Sequence, residues 1–242
     1  MGIRYRVNEA FFDRWSPKMA YVLGYWYADG SIYPSARGSY LSATSIDREI
    51  IYKIKDWLKS EHTIREEKPA GLNRKTRFIL RIGNKSLYNA LRKLGIYPSK
   101  SLTVKFPNIP SHFLSHFVRG YFDGDGCIFL EMRKGITRDR IIKRLSAIFT
   151  SGSQNFLVEL CKLLGRSLKL KQSKIYRGHR SYQLRYFTSD SIELFKFMYG
   201  NCSRGAYLTR KFDYFGRYFK LRPQKLDVSI KKILDKHGHV AK

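Results

Sequence analysis

The chain of 242 residues is 43% hydrophobic, which is enough to bury the core of one larger domain or of two subdomains. It has 47 Lys and Arg residues against 19 Asp and Glu residues, and the resulting net charge of +28 indicates an anionic partner, with nucleic acid as the leading candidate. No run of about 18 apolar residues could span a membrane, and the three cysteines lack the spacing of a zinc site or a disulfide framework. The N-terminus lacks the apolar segment of a secretory signal, so we expect an intracellular protein, cytoplasmic or organellar.

One pattern occurs twice along the chain. Residues 21–30 read YVLGYWYADG, and residues 117–126 read FVRGYFDGDG. Hydrophobic periodicity in and after each copy predicts a helix, two strands, a helix, two strands and a final helix. The sequence therefore predicts an internal duplication, in which Asp29 of the first copy corresponds to Asp125 of the second.

A short segment with two prolines, KFPNIPS at residues 105–111, interrupts regular structure between the two halves. We therefore predict a first subdomain with its linker at residues 1–110 and a second subdomain at residues 111–220. Residues 221–242 lie outside the repeat and are interpreted as a tail, an added helix with a frayed end, to which we assign no chemistry.

Apolar and polar residues alternate within the predicted strands. In CIFLEMR, for example, Ile128, Leu130 and Met132 share one face, and the residues between them share the other. The same alternation recurs in the other segments, including a strand predicted at residues 168–171. It indicates an α+β fold with two antiparallel sheets, each of which has helices on its apolar face.

The outward faces of these sheets are basic and polar, with aromatic residues among them. A ribbon of this kind fits the DNA major groove, where arginine suits guanine and glutamine suits adenine. For any single strand, a solubilising surface is the alternative interpretation. The residues predicted to contact DNA are Tyr33, Ser35, Arg37, Tyr40, Ser42, Arg77, Arg81, Phe129, Glu131, Arg133, Arg144, Ser146, Lys169, Lys171, Gln183 and Arg185.

The two aspartates stand at helix ends, where a carboxylate is unfavourable because the last carbonyls of a helix carry partial negative charge. Gly30 suits the left-handed position that follows a helix, which places Asp29 at its C-terminus. Gly24 and Gly120 lie inside apolar helices, where glycine costs about 1 kcal/mol unless two backbones approach closely. Pairing of the helices at these glycines would bring Asp29 and Asp125 together. A shared divalent cation would then remove their repulsion and could activate water for phosphodiester cleavage. An ordinary Asp-Gly turn is the alternative for either copy alone.

The segments VLGYWYADG and VRGYFDGDG resemble the two motifs of a single-chain LAGLIDADG homing endonuclease, and the resemblance covers residues 15–220. It implies two pseudo-symmetric αββαββα subdomains, with central motif helices and two sheets that form a DNA-binding saddle. The implied reaction is a metal-dependent, staggered double-strand break with 3′ overhangs at a long, incompletely palindromic DNA target. The implied cofactor is magnesium (Mg²⁺) or Mn²⁺, and Ca²⁺ is expected to support binding without cleavage.

The resemblance also implies roles for individual residues. Asp29 and Asp125 are the catalytic metal ligands, and the main-chain carbonyls of Ala28 and Gly124 are further ligands. A basic residue is expected near each scissile phosphate, where it stabilises charge or organises water. These residues are Lys100 in the first half and Lys211 in the second, with Arg210 as the competitor for Lys211.

Three positions depart from the family pattern. Ser45 and Ser151 stand where a polar glutamine is common, and Arg119 stands where a small or apolar residue is usual, so we expect Arg119 to contact a charged group. The resemblance implies double-stranded DNA as the partner of a functional monomer, intron-encoded, that requires neither a membrane nor a protein partner. The alternative is a non-cleaving nucleic-acid binder of the same fold, such as an intron RNA maturase.

Overall fold

The structure is a computed structural model that describes residues 5–68, 75–134, 141–171 and 173–238, without the side chains of residues 132–134 and 141–143. The chain divides into two compact units, Met1–Gly124 and Asp125–Lys242. The division falls within the second motif because the second motif helix packs against the first, as described below. The subdomain boundary at residue 110 follows the sequence repeat and stays a prediction.

The first unit contains one four-stranded antiparallel sheet with strand order β1-β2-β4-β3. Its elements are α1 (Pro17–Ala28), β1 (Gly30–Ser35), β2 (Gly38–Ser45), α2 (Arg48–Trp57), β3 (Ile64–Glu67), β4 (Arg77–Gly83), α3 (Lys85–Lys93) and α4 (Leu114–Asp125), the last of which begins the second repeat. Ile32, Leu41 and Ile82 are cross-strand neighbours and are all buried, so one face of the sheet belongs to the core. The alternation predicted for these strands is confirmed.

The second unit repeats the arrangement with strand order β5-β6-β8-β7. Its elements are β5 (Gly126–Lys134), β6 (Ile141–Ser151), α5 (Gln154–Leu168), β7 (Ile175–Arg177), β8 (Tyr182–Tyr186), α6 (Thr188–Tyr199), α7 (Thr209–Leu221) and α8 (Val228–Lys236). Both repeats therefore follow the order helix, two strands, helix, two strands, helix. This confirms the predicted α+β class and the αββαββα duplication.

One predicted strand is wrong. Leu168 is the last residue of α5, and Lys169 follows it with a left-handed backbone at φ 54°, which breaks any extended run at residues 168–171. The helix reaches this far because Phe156, Leu160 and Leu164 recur at helical spacing and are buried. Lys169 and Lys171 are exposed, but they lie in the connection to β7 and not on a strand.

The C-terminal segment forms a helix, as its sequence predicts. Helix α8 buries Ile230, Ile233 and Leu234, and the helix α7 runs through the expected start of the tail. His237 is buried against the ring of Tyr207. The added helix predicted for this segment is therefore present as α8, and residues 239–242, the end of the chain where fraying is predicted, lie outside the described part. Among the described helices, none is long and apolar enough to cross a lipid bilayer.

Candidate active site

Two glycines allow the motif helices α1 and α4 to touch. A Cβ atom at Gly24 would overlap the carbonyl oxygen of Phe117, and one at Gly120 would overlap the carbonyl oxygen of Tyr21. Each glycine therefore faces the backbone of the other helix. This reciprocal contact is the close backbone approach predicted for these positions, and it explains why glycine is tolerated inside both helices.

Helices α1 and α4 also meet near their C-terminal ends. A Cβ atom at Gly124 would lie 2.5 Å from the Cβ atom of Ala28 and 3.5 Å from the carboxylate Oδ2 of Asp29. The structure therefore brings together Ala28 and Gly124, the two residues whose carbonyls the family resemblance makes metal ligands. Any side chain at residue 124 would crowd the end of the first motif.

Each motif aspartate stands where a helix changes directly into a strand. Asp29 is the exposed C-cap of α1, and its N–H donates a hydrogen bond to the carbonyl of Tyr25 at 2.9 Å. Asp125 is half-buried and is the last residue of α4. The left-handed conformation predicted for Gly30 is wrong, because Gly30 already belongs to β1. Glycine is required there by packing, since a Cβ atom would lie 2.5 Å from the indole of Trp26.

Both lysines implied by the resemblance are buried, with Lys100 only 5% and Lys211 only 3% exposed. Lys211 lies in the first turn of α7, and its Nζ donates a hydrogen bond of 2.6 Å to the carbonyl of Gly126, the residue after Asp125. Lys100 begins a short 3₁₀ helix. Arg210 is exposed. The contact with Gly126 therefore favours Lys211 over Arg210 as the basic residue beside the second motif.

The two serines that replace the family glutamine have the same local role in both halves. The hydroxyl of Ser45 accepts a hydrogen bond from the N–H of Asp47 at 3.0 Å, and that of Ser151 accepts one from the N–H of Ser153 at 3.1 Å. Both bonds form the turn between a strand and the helix that follows it. The sequence did not predict this use of the serines.

On the outward face of the first sheet, aromatic rings support an arginine. Tyr33 and Tyr40 are cross-strand partners whose rings stack at 5.6 Å. The guanidinium of Arg81 lies 4.2 Å from the ring centre of Tyr40 and 5.3 Å from that of Tyr33. Ser42 is the cross-strand partner of Arg81 and shares this face. A cationic group held over two rings suits contact with phosphates or bases.

Other predicted DNA-contact residues of the first half lie at the margin of this face. Ser35 ends β1, and Arg37 lies in the exposed turn that follows. The guanidinium of Arg77 makes an ion pair with Glu67 at 2.8 Å. Since this ion pair neutralises part of the charge of Arg77, Arg81 is the stronger candidate for a DNA contact on β4.

The outward face of the second sheet carries Phe129, which is 54% exposed, together with Glu131 and Arg144, which pair across β5 and β6. Ser146 lies on the same face but is only 7% exposed, which makes it a weaker candidate for a DNA contact than its neighbours. It is covered because β6 is a central strand between β5 and β8, and because its cross-strand neighbour is the large Phe129. The side chain of Arg133 lies outside the described part.

On β8, next to the edge strand β7, Arg185 donates a hydrogen bond to the amide oxygen of Gln183 at 3.3 Å and lies 5.7 Å from the ring centre of Tyr176. Tyr176 is exposed on β7 and was missed by the sequence analysis. The cause is the strand misplaced at residues 168–171. The period-two pattern of KIYR, just beyond it, is the signal that would have identified Tyr176.

A buried polar cluster lies between α1 and α4. It comprises Tyr21 of the first helix and His116, Arg119 and Asp123 of the second, all of which are buried. The hydroxyl of Tyr21 donates a hydrogen bond of 2.6 Å to the carboxylate of Asp123. Arg119 lies 5.4 Å from the ring centre of Tyr21, and its guanidinium donates to Nδ1 of His116 at 3.0 Å. Because arginine can only donate, the imidazole of His116 must be the acceptor in this bond.

The cluster keeps His116 neutral. Burial, and then the charge of Arg119, lower the pKa of His116 to about 4. Protonation would remove the acceptor of the Arg119 hydrogen bond and place two positive charges side by side. The contacts of Arg119 include this neutral imidazole and an aromatic ring, and the expectation from sequence that Arg119 contacts a charged group stays a prediction.

We expect the free energy of unfolding to fall as the pH is lowered from 6.5, the ordinary pKa of histidine, to about 4. In this range the unfolded chain binds a proton at His116 and the folded chain does not, so acid favours unfolding, by an amount on the order of 2 kcal/mol. Urea unfolding across the range measures the loss. His116→Gln keeps an acceptor for Arg119 without titrating and should lose less stability. His62, whose pKa is also lowered by burial, is common to both proteins. Equal losses would contradict this account.

The residues at the helix ends fit a hard divalent cation. Carboxylate and main-chain carbonyl oxygens are the ligands that magnesium and calcium prefer. Asp29 and Ala28 supply both kinds at the end of α1, and Asp125 and Gly124 do so at the end of α4. Within the described residues, no group of three or more His, Cys, Asp or Glu side chains could hold a metal ion. A divalent cation at either motif would therefore be held by one aspartate carboxylate together with backbone carbonyl oxygens.

The sequence and the fold both match a known family. A sequence model of the LAGLIDADG-like domain matches residues 16–95 and 112–200, which are the two repeats described above. These matches span well over half of the chain, so the protein belongs to the LAGLIDADG-like family. Comparison with curated proteins finds no match.

Solved structures with the same fold include LAGLIDADG homing endonucleases. A double mutant of I-SmaMI matches with a TM-score of 0.62 and 12% identity over 95% of this chain and 100% of that chain. I-SmaMI bound to an uncleaved DNA target in the presence of calcium ions matches with a TM-score of 0.58 and 12% identity, over 93% of this chain and 98% of that chain. The I-LtrWI LAGLIDADG homing endonuclease bound to target DNA matches with a TM-score of 0.57 and 13% identity, over 96% of this chain and 100% of that chain. At these identities the likeness shows the fold.

Proposed function

We propose that the protein is a site-specific homing endonuclease that makes a metal-dependent, staggered double-strand break with 3′ overhangs in a long, incompletely palindromic DNA target. The observation that carries this proposal is the reciprocal contact of Gly24 and Gly120 with the facing helix backbones. It gives a physical reason for the duplicated motif and places Gly124, the residue before Asp125, against Ala28 and Asp29.

We assign the binding of divalent metal to Asp29 and Asp125, with the carbonyls of Ala28 and Gly124 as further ligands. When bound, a magnesium ion supplies an activated water and stabilises charge on the phosphodiester oxygens. The aspartates stand at the ends of the two motif helices, which place their carboxylates for metal binding. Each motif acts on one DNA strand, so that two cuts make the double-strand break. Mn²⁺ would substitute for magnesium, and Ca²⁺ would support binding without cleavage.

Double-stranded DNA is bound by the outward faces of the two sheets. The net charge of +28 supports this assignment, because phosphate neutralisation supplies most of the free energy of nonspecific DNA binding. Arg81 over its two tyrosines and Arg185 beside Gln183 are the best-supported side chains for contacts with bases. Since one chain contains both motifs, we propose that it acts as a monomer, and we propose an intron-encoded origin from the family resemblance alone.

We assign charge stabilisation at the scissile phosphates to Lys100 and Lys211. Lys211→Met keeps the length of the side chain but removes the Nζ donor, and we expect it to slow DNA cleavage by roughly 100-fold, as loss of one preorganised donor does elsewhere. Arg210→Met is the matched control, because Arg210 is adjacent and exposed, and we expect its cleavage rate to stay near that of the wild type. Single-turnover cleavage rates of the two variants decide between Lys211 and Arg210. A larger loss for Arg210→Met would reverse the assignment.

The proposed function is tested by incubating the wild-type protein with a library of randomised duplexes, first in calcium to select bound sites and then in magnesium. We expect one long site to be bound in both ions and cut only in magnesium. Tight duplex binding without cleavage in magnesium or manganese would overturn the endonuclease proposal and favour a non-cleaving binder. Failure to bind duplex DNA, with tight binding of a structured intron RNA, would favour a maturase.

A further inference from the structure

The two motif helices differ in how their last turns are anchored. In α1, Tyr27 donates a hydroxyl hydrogen bond to the carbonyl of Leu94 at 2.7 Å, and its ring packs against Phe117. The residue of α4 that corresponds to Tyr27 in the repeat is Asp123. Its carboxylate accepts the hydrogen bond of 2.6 Å from the hydroxyl of Tyr21. Each last turn is thus anchored by one phenolic hydroxyl, with the donor in α1 in both cases.

The polar side chains that anchor the second motif are buried at a cost in free energy. Asp123 is only 3% exposed and Arg119 only 1%, and burial of charged groups costs several kcal/mol unless they are paired and hydrogen-bonded. The corresponding positions of α1 hold Leu23 and Tyr27, which avoid this cost. Replacement of such buried groups by apolar side chains of similar size is often neutral or even stabilising, so we look for a role of the polar groups beyond stability.

The sequence around Asp125 indicates such a role. Asp125 stands between Gly124 and Gly126, and glycine leaves the backbone on both sides with the most conformational freedom. A bulkier residue is not available at residue 124, because a Cβ atom there would crowd Ala28. The last turn of α4 therefore has to be fixed one residue earlier, at Asp123.

We propose that Asp123, held by the hydroxyl of Tyr21, is a positioning residue for Asp125, and that the cut made by the second motif depends on this hydrogen bond. Tyr27 has the equivalent role for Asp29. The inference rests on the proposed endonuclease function, since it concerns the aspartates of that site. It predicts that removing the hydroxyl of one tyrosine slows the cut of one strand, and that removing the hydroxyl of the other tyrosine slows the cut of the other strand.

The test is strand-resolved cleavage of the selected DNA site by Tyr21→Phe and Tyr27→Phe. We expect each variant to slow the cut of one strand by roughly 10-fold or more, as small misplacements of catalytic groups do, while the other strand is cut at the wild-type rate. Nicked DNA should accumulate, with the nick on opposite strands in the two variants. Affinity for the site in calcium should not change.

Tyr25→Phe is the control for a general loss of stability. It removes a hydroxyl hydrogen bond of similar length, 2.9 Å to the carbonyl of Thr44, from the same helix, and it should leave the ratio of the two cuts unchanged. Equal slowing of both strands by Tyr21→Phe, or no slowing, would overturn the positioning role while the endonuclease proposal stands. If the wild-type protein cuts neither strand, the proposed function itself fails, and the inference falls with it.

Discussion

Gly24→Ala and Gly120→Ala are each expected to lower the free energy of unfolding by about 3 kcal/mol or more, at the upper end of overpacking effects and a large share of the total for a protein of ordinary stability. The added methyl group would overlap a backbone carbonyl oxygen of the facing helix, Phe117 in one case and Tyr21 in the other. A backbone atom inside a helix cannot rotate away, so the helices must separate. This separation outweighs the gain of about 1 kcal/mol in helix propensity that alanine brings.

Gly165→Ala is the matched control for these two substitutions. Gly165 also lies inside a helix, α5, but the nearest atom to an added Cβ is the carbonyl oxygen of Leu170 at an ordinary 3.6 Å. We expect Gly165→Ala to stabilise the protein by up to about 1 kcal/mol. Thermal unfolding of the three variants measures the contrast. If Gly24→Ala melted at the temperature of Gly165→Ala, the close pairing of α1 and α4 would be refuted.

Asp29→Asn and Asp125→Asn are each expected to slow the cut of one DNA strand by roughly a thousandfold, which corresponds to about 4 kcal/mol of lost transition-state stabilisation. The amide keeps the shape of the carboxylate but loses the charge to which we assign the binding of a divalent cation. Each single variant should leave nicked DNA, and the double variant should leave intact DNA. Binding of the site should be retained, since removal of a negative charge near phosphates does not weaken it.

Asp56→Asn serves as the control, because Asp56 is an exposed aspartate of α2 outside both motifs. Its variant should cut both strands at the wild-type rate. The measurement is a time course of supercoiled, nicked and linear plasmid that carries the selected site. Linear product at the wild-type rate from either motif variant would show that the aspartate concerned is not a metal ligand.

Much of the fold could be predicted because the sequence contains the same pattern twice. The duplicated helices with Gly24 and Gly120, and the alternation in β1, β2, β4 and β5, are local signals that agree with the tertiary structure. The strand at residues 168–171 failed because LKLK is too short to distinguish a strand from the end of a helix. The end of α5 depends on how deeply its apolar residues are buried, and burial is a property of the tertiary structure.

The site was predicted less completely. The motif aspartates and lysines are predictions from the repeat and from the family resemblance, but burial of Ser146 follows from strand order, which local sequence does not encode. The choice between Arg210 and Lys211 depends on where α7 begins, since a shift of one residue turns a side chain by about 100° around the helix. The hydrogen bond from Tyr21 to Asp123 joins residues that are far apart in sequence.

The most direct test of the central claim is to sequence the DNA ends that the wild-type protein produces at its selected site, with magnesium and with a chelator. We predict two cuts, one on each strand, that leave 3′ single-stranded extensions in magnesium, and intact DNA with the chelator. The double variant Asp29→Asn, Asp125→Asn should give intact DNA in both conditions. Blunt or 5′-extended ends, or the same cuts in the presence of the chelator, would contradict the assignment of a metal-dependent endonuclease with these two aspartates.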